Sequence, residues 1–197
     1  MGSKDSAAMK TFEVVTLTPA ESCWPRHLND RLEAAAPSQL WAIGNEEMLG
    51  LRKIGLFCSV DCPDPTRHEA DRAVRKLRGR EAAVVSGFHS PVEKECLRIL
   101  LADHVPSVIG LARSLKHIRI PSGWRRPLED GRLLLISPFD NLPRSPTRKS
   151  SRQRNELIAA LSDEILILHA QPGGNIERLA RIIARWRVPN RRLSVID

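Results

Sequence analysis

The sequence predicts a Rossmann-like, doubly wound α/β fold, a mostly parallel sheet with helices on both faces. Three observations predict it. Apolar runs such as Ala82-Ala83-Val84-Val85 and Ile165-Leu166-Ile167-Leu168 are too short for helices and too uniformly apolar for half-exposed strands. Between them lie stretches with apolar residues at helical spacing, such as Ala70, Val74 and Leu77. The two patterns alternate from about residue 51 onward, as βαβ units require.

The elements follow in order. Residues 1–14 are polar and read as a disordered or tag-derived start. Residues 15–50 read as an N-terminal appendage packing on the core, and 51–197 as the Rossmann-like domain. In the appendage, Thr18-Pro19 with Glu21 marks a helix start, 26–35 reads as a helix, and 40–43 as a short strand stopped by Gly44-Asn45. The domain then offers a strand at 53–57, a helix at 65–78 and a strand at 81–85 that stops at Ser86-Gly87. A helix at 91–103 follows, with Pro91 at a tolerated early position. Short strands are expected at 107–111, 118–120 and 131–136. The remainder reads as a short helix at 154–161, a strand at 165–168, a helix at 175–186 and a last strand at 192–196.

A chain of 197 residues, 42% hydrophobic and 27% charged, suits one globular domain with a short appendage. Its apolar runs fall far short of the ~20 residues a membrane helix needs. The N-terminus has no apolar signal core, which makes the cytoplasm the expected location and a membrane partner unexpected. Cys23, Cys58, Cys62 and Cys96 form no disulfide framework for a chain this size. Cys58 and Cys62 with His68 lack a second ligand pair at zinc-site spacing, so they read as ordinary thiols. No metal and no cofactor is expected.

The net charge is +8, and it is concentrated. From Arg113 to Arg154 there are eleven basic residues against three acidic ones, which equals the whole chain's surplus. Clustered positive charge favours a polyanion.

In a doubly wound sheet the ligand lies at the carboxyl ends of the strands. The loops to consider are therefore 58–64, 86–90, 111–117, 137–154 and 170–175. Ser86-Gly87 precedes a helix, so its turn can offer backbone N–H groups to an anion. Gly173-Gly174 permits a similar close approach before the next helix. The run Ser151-Arg152-Gln153-Arg154-Asn155 is a cationic loop that ends on a helix N-terminus. Phe88, Trp124 and Phe139 fall in or near ligand-side loops and offer stacking surfaces. His89 and His169 fall near the same edge without an acidic partner at triad spacing. Glu93 and Glu177 sit in first helical turns, where the helix dipole favours a carboxylate. Neither a Walker motif nor G-x-G-x-x-G occurs, so the chain reads as a binding protein rather than an enzyme.

Several of these residues carry a family likeness. Val84-Val85-Ser86-Gly87, the run Arg154-Asn155-x-x-Ile158-Ala159-x-Leu161-Ser162 and the strand after it resemble the Rossmann-like domain of DNA-processing protein A (DprA/Smf). The lead-in is similar too, with Leu17-Thr18-Pro19, Trp24-Pro25 and Leu40-Trp41-Ala42-Ile43-Gly44-Asn45. The likeness covers about residues 15–186.

The resemblance implies a protein that binds single-stranded DNA, loads a RecA-type recombinase during natural transformation, and forms a homodimer. It maps phosphate contacts onto Ser86, Gly87, Arg154 and Asn155, and further onto Arg148, Lys149 and Arg152. Together with the loop reading, Ser59, Phe88, Gly173 and Gly174 complete the candidate set. The chain departs from the family pattern at two charges. Val60 stands where the family's G-S-R loop has arginine, and Glu156 stands at the second arginine of R-N-R. Pro172-Gly173-Gly174 is also similar to the turn of the lysine-decarboxylase-like phosphoribohydrolases, although Ile176 and Glu177 interrupt that pattern. The alternative reading is therefore a sensor of a nucleotide-like small molecule, or a phosphoribohydrolase-like enzyme, on the same strand ends.

Overall fold

A computed structural model describes residues 12–141 and 143–192. Among the described residues eight strands form one sheet in the order β1-β2-β6-β5-β4-β3-β7-β8. The strands are β1 Val15–Leu17, β2 Leu40–Gly44, β3 Arg52–Cys58, β4 Ala82–Ser86, β5 Ser107–Gly110, β6 Leu133–Ser137, β7 Glu164–His169 and β8 Asn190–Arg192. Strands β3 to β8 pair in parallel. Strand β2 runs antiparallel to both β6 and β1. The doubly wound α/β architecture is thus the one the alternating pattern predicts.

The helices are α1 His27–Leu32, α2 Asp64–Arg75, α3 Pro91–Ala102, α4 Ser122–Glu129, α5 Arg148–Leu161 and α6 Asn175–Arg185. They divide between two apolar cores, one on each face. Leu28 of α1, Leu157 and Leu161 of α5, and Leu179 and Ile183 of α6 fill one. Ala70 and Val74 of α2, Cys96 and Leu100 of α3, and Leu128 of α4 fill the other. Strand alternation feeds both: in β3, Phe57 joins the first core, while Ile54, Leu56 and Cys58 join the second.

Residues 15–50 are more than a piece packed on the core, because β1 and β2 extend the same sheet beyond β6. Thr18-Pro19 starts a turn, not a helix. The helix expected at 26–35 is α1 followed by a 3₁₀ turn, Glu33–Ala35. Residues 118–120 are not a strand: their place beside β6 is taken by β2, and they lead irregularly into α4. The last strand begins at Asn190, and positions 193–196 of the expected strand lie outside the described residues, as do residues 1–11 of the expected disordered start.

The largest correction concerns α5. It begins at Arg148, six residues ahead of the expected start. Thr147 caps it: its Oγ1 accepts the Ser150 N–H at 3.0 Å, and the Ser150 Oγ accepts the Thr147 N–H at 2.9 Å. Arg152 and Arg154 therefore project from helical turns and not from a loop.

Sheet order fixes where a ligand cleft opens. From β3 the chain winds outward through β4 and β5 to β6, then returns so that β7 lies on the other side of β3. The order reverses between β3 and β7, and a crevice is expected at their carboxyl ends.

Candidate functional site

A cleft of about 260 Å³ lies at that reversal, lined by Cys58, Ser59 and Val60 after β3, and by Gln171, Gly174 and Asn175 after β7. His89, Ser90 and Glu93 close one side, and Ser151, Arg154 and Asn155 of α5 close the other.

Arg154 dominates the cleft electrostatically. Its residue is only 6% exposed. Its Nη1 donates to the Gly110 carbonyl at 3.1 Å, and its Nε donates to Asn155 Oδ1 at 2.8 Å. Two glycines make room for it. A methyl group on Gly87 would overlap the guanidinium, and one on Gly110 would approach Ile158 Cδ1 to 2.7 Å and Arg154 Cδ to 3.5 Å. Burial lowers the Arg154 pKa, and the Glu93 carboxylate opposes that shift. Among the described residues no carboxylate lies within ion-pair distance of the guanidinium. A guanidinium has five N–H donors. The two bonds to protein leave donors for an acceptor in the cleft, and a buried cation without a paired carboxylate favours an anion there.

Glu93 shapes the opposite wall. Its carboxylate accepts the Cys58 N–H at 2.9 Å, the His89 N–H at 2.8 Å and the Ser90 N–H at 3.1 Å. Ser90 Oγ in turn accepts the Glu93 N–H at 3.2 Å, which completes a capping box on α3. The turn after β4 was expected to offer its N–H groups to a ligand. Glu93 already occupies those of His89 and Ser90, so the carboxylate takes the place an anion would hold.

The other candidate residues divide accordingly. Ser86 is fully buried, and its Oγ accepts the Phe88 N–H at 3.2 Å inside the turn. Phe88 has a φ of 44° and packs into the α2–α3 core at 5% exposure, so it presents no stacking face. Gly87 acts by admitting the Arg154 guanidinium. Ser59 lines the cleft, but its Oγ accepts the Gln171 N–H at 2.9 Å and so ties the β3 and β7 loops together. Gly173 has a φ of 72°, and its N–H donates to Glu177 Oε2 at 2.9 Å. Gly174 caps α6 at the cleft wall. Arg148 and Lys149 are exposed in the first turn of α5, outside the cleft lining. Arg152 is exposed, and its Nε donates to Asn175 Oδ1 at 3.3 Å.

Sequence reasoning missed Gly110, which lies just ahead of the loop considered after β5. The sequence places Glu93 in a first helical turn, but not as a clamp on β3. Burial raises the thiol pKa of Cys58, and pushes that of Cys96 up to about 12. Among the described residues no group of three or more metal-ligating side chains comes together. Nor is any described helix long and apolar enough to cross a membrane.

Fold and cleft together define a doubly wound α/β protein with a cationic crevice at the strand-order reversal. Its sequence matches the family model for DNA recombination-mediator protein A over residues 15–177, and the chain belongs to that family. It is similar in structure to DNA processing protein A (DprA) from Streptococcus pneumoniae, with a TM-score of 0.76 at 18% identity. That similarity covers 94% of this chain and 65% of the pneumococcal one, so this chain spans just under two thirds of that protein's length. It is also similar to DNA processing protein A from Helicobacter pylori, with a TM-score of 0.73 at 21% identity over 93% of this chain and 81% of that one. The Helicobacter protein is described as having a unique single-stranded DNA binding mode. No curated protein matches the sequence.

Proposed function

We propose that this chain binds single-stranded DNA, with one backbone phosphate seated against Arg154 in the β3–β7 cleft. The observation that carries the proposal is the buried Arg154 guanidinium, held among the described residues by two protein acceptors at the mouth of the sheet. Asn155, Gly174 and Ser59 line the same cleft, and Arg152, Arg148 and Lys149 lead away from it along α5. In this reading Ser86, Gly87, Phe88 and Gly173 support the cleft walls and do not touch the ligand. The exposed cations supply the long-range, salt-sensitive attraction, and Arg154 supplies a desolvated contact.

Family membership supports a setting in DNA processing and recombination. The proposal places the chain in DNA processing and recombination, including DNA uptake by natural transformation, in the cytoplasm, as a homodimer that hands its strand to a RecA-type recombinase. It is a binding role and not a catalytic one.

The cleft volume bears on the alternative of a nucleotide-like small molecule. About 260 Å³ falls below the ~300–1,000 Å³ usual for sites that enclose a whole small ligand. A short section of a polymer suits it better. The Gly173 N–H, which a phosphoribohydrolase-like turn would offer to phosphate, is already held by Glu177. Fluorescence anisotropy distinguishes the two readings. Labelled oligothymidylate should bind at low salt, weaken steeply with added KCl, and be displaced poorly by mononucleotides. Saturable mononucleotide binding without affinity for oligonucleotides would establish the alternative instead.

A further inference from the structure

We propose that the cleft between the carboxyl ends of β5 and β6 is a second phosphate site, separate from the one at β3 and β7. A cavity of about 700 Å³ opens there, lined by Arg113, Ser114, Lys116, His117, Asn141 and Arg144. The two clefts share no lining residue. Among the described residues the lining contains three permanent cations and an imidazole, and no carboxylate.

The site is held by its own hydrogen bonds. Hydrogen bonds tie the loop after β5 to the end of β6 and to the loop after it. Ser137 Oγ donates to the Arg113 carbonyl at 2.7 Å, and the Ser114 N–H donates to the Pro143 carbonyl at 3.0 Å. Ser114 Oγ donates to the Asp140 carbonyl, and Lys116 Nζ donates to Asn141 Oδ1 at 2.9 Å. The Ser114 Oγ also accepts the Lys116 N–H at 3.0 Å. These bonds engage the serine hydroxyls and the Lys116 ammonium, and leave Arg113 and Arg144 in the cavity lining. Lys116 is paired with Asp140 at 2.6 Å, whereas among the described residues Arg113 and Arg144 have no carboxylate within 4 Å. His117 keeps a φ of 60°, a conformation that a non-glycine residue adopts only where its surroundings impose it.

This chemistry recognises compact, multiply charged oxyanions. Two free guanidinium groups match phosphate oxygens in a bidentate manner. Among the described residues the lining has no Phe, Tyr or Trp, and its cations make the phosphate the recognised group. Two sources fit that chemistry. One is the next part of a DNA strand already seated at β3 and β7. Three strand spacings separate the clefts, or about 14 Å along the sheet edge. The other is a free di- or triphosphate, for which 700 Å³ is ample. The site stands independently of the first cleft, because a free polyphosphate reports on it without DNA.

The experiment has two arms, both comparing wild type with Arg113→Ala/Arg144→Ala and with Arg113→Lys/Arg144→Lys. In the first, inorganic triphosphate is titrated by calorimetry and thermal shift. Wild type should bind saturably, the alanine pair should bind at least about tenfold more weakly, and the lysine pair should recover part of that affinity. In the second, a long oligothymidylate is titrated across KCl concentrations. If the strand supplies the phosphates, the alanine pair lowers the salt slope by about 1.4, since each single-strand phosphate contact contributes about 0.7. A triphosphate effect with an unchanged slope assigns the site to a free anion. The proposal is overturned if the alanine pair matches wild type in both arms, or if wild type shows neither saturable triphosphate binding nor a slope change on substitution. Absence of DNA binding in every protein, with triphosphate binding lost in the alanine pair, would sink the first proposal and leave this one standing.

Discussion

Gly87→Ala tests how the site is built more sharply than removing a charge does. The added methyl group would overlap the buried Arg154 guanidinium. The backbone does not oppose the change, since Gly87 is not among the glycines with positive φ. The cost is therefore the displacement of the guanidinium. It must give up the Gly110 carbonyl at 3.1 Å and Asn155 Oδ1 at 2.8 Å. Hydrogen bonds to charged groups contribute about 1.5–3 kcal/mol each. Replacing glycine returns about 0.4–1 kcal/mol through the unfolded chain. The displaced guanidinium also regains water in the cleft. The net loss of stability should be about 2–4 kcal/mol. Urea denaturation of the wild type, both single variants and Gly87→Ala/Arg154→Ala measures it. With Arg154 already truncated, the methyl group meets no guanidinium, so the second substitution should cost little. The cycle should show a coupling of about 2 kcal/mol. Additive costs would refute the placement of Arg154 against Gly87.

Three further outcomes follow from the same contacts. Glu93→Gln leaves one oxygen to serve the Cys58, His89 and Ser90 N–H groups, so it should cost about 2–4 kcal/mol by thermal denaturation and weaken oligonucleotide binding through a loosened wall. Phe88→Ala should destabilise by about 3–5 kcal/mol while leaving the salt slope of DNA binding unchanged, because the ring is core and not a platform. Glu164 sits where burial raises its pKa, but Arg191, Arg80 and Arg52 outweigh that and hold it below the usual carboxylate value. Its contribution is present above the unfolded pKa of about 4.3 and is lost as pH falls through the lower folded value, so Glu164→Gln should flatten the acid limb of a stability-versus-pH curve.

The parallel sheet was legible because β3 to β7 are buried on both faces and so carry unbroken apolar runs. Helix α4 was not, because Gly123 and Pro127 have low helix propensity and, in that helix, only Pro127 and Leu128 are buried. The first turns of α5 were misread for a related reason. Between Arg148 and Gln153 only Ser150 is buried, so no apolar spacing announces a helix. Thr147 and Ser150 were the readable sign, since their side chains and N–H groups cap each other.

At the site, the Arg154-Asn155 pair and the glycine turns stood out in the sequence. What each does was hidden, because it depends on chains far apart in sequence. Gly110 accepts a bond from Arg154 across 44 positions, and Glu93 reaches Cys58 across 35. In the turn that Ser86-Gly87 opens, the His89 and Ser90 N–H groups are already held by that carboxylate. A loop motif alone does not say whether its donors are already satisfied.

The central claim is that cations of α5 draw a single strand onto the cleft where Arg154 waits. Salt-dependent anisotropy with labelled oligothymidylate tests it most directly, comparing wild type with Arg148→Ala/Lys149→Ala/Arg152→Ala. These three side chains are exposed, so the substitutions leave the fold intact. Wild type should bind with affinity falling steeply as KCl rises, and the triple variant should lose about 2 from the slope of log affinity against log salt. No wild-type binding at low salt, or an identical slope in the variant, would contradict the claim.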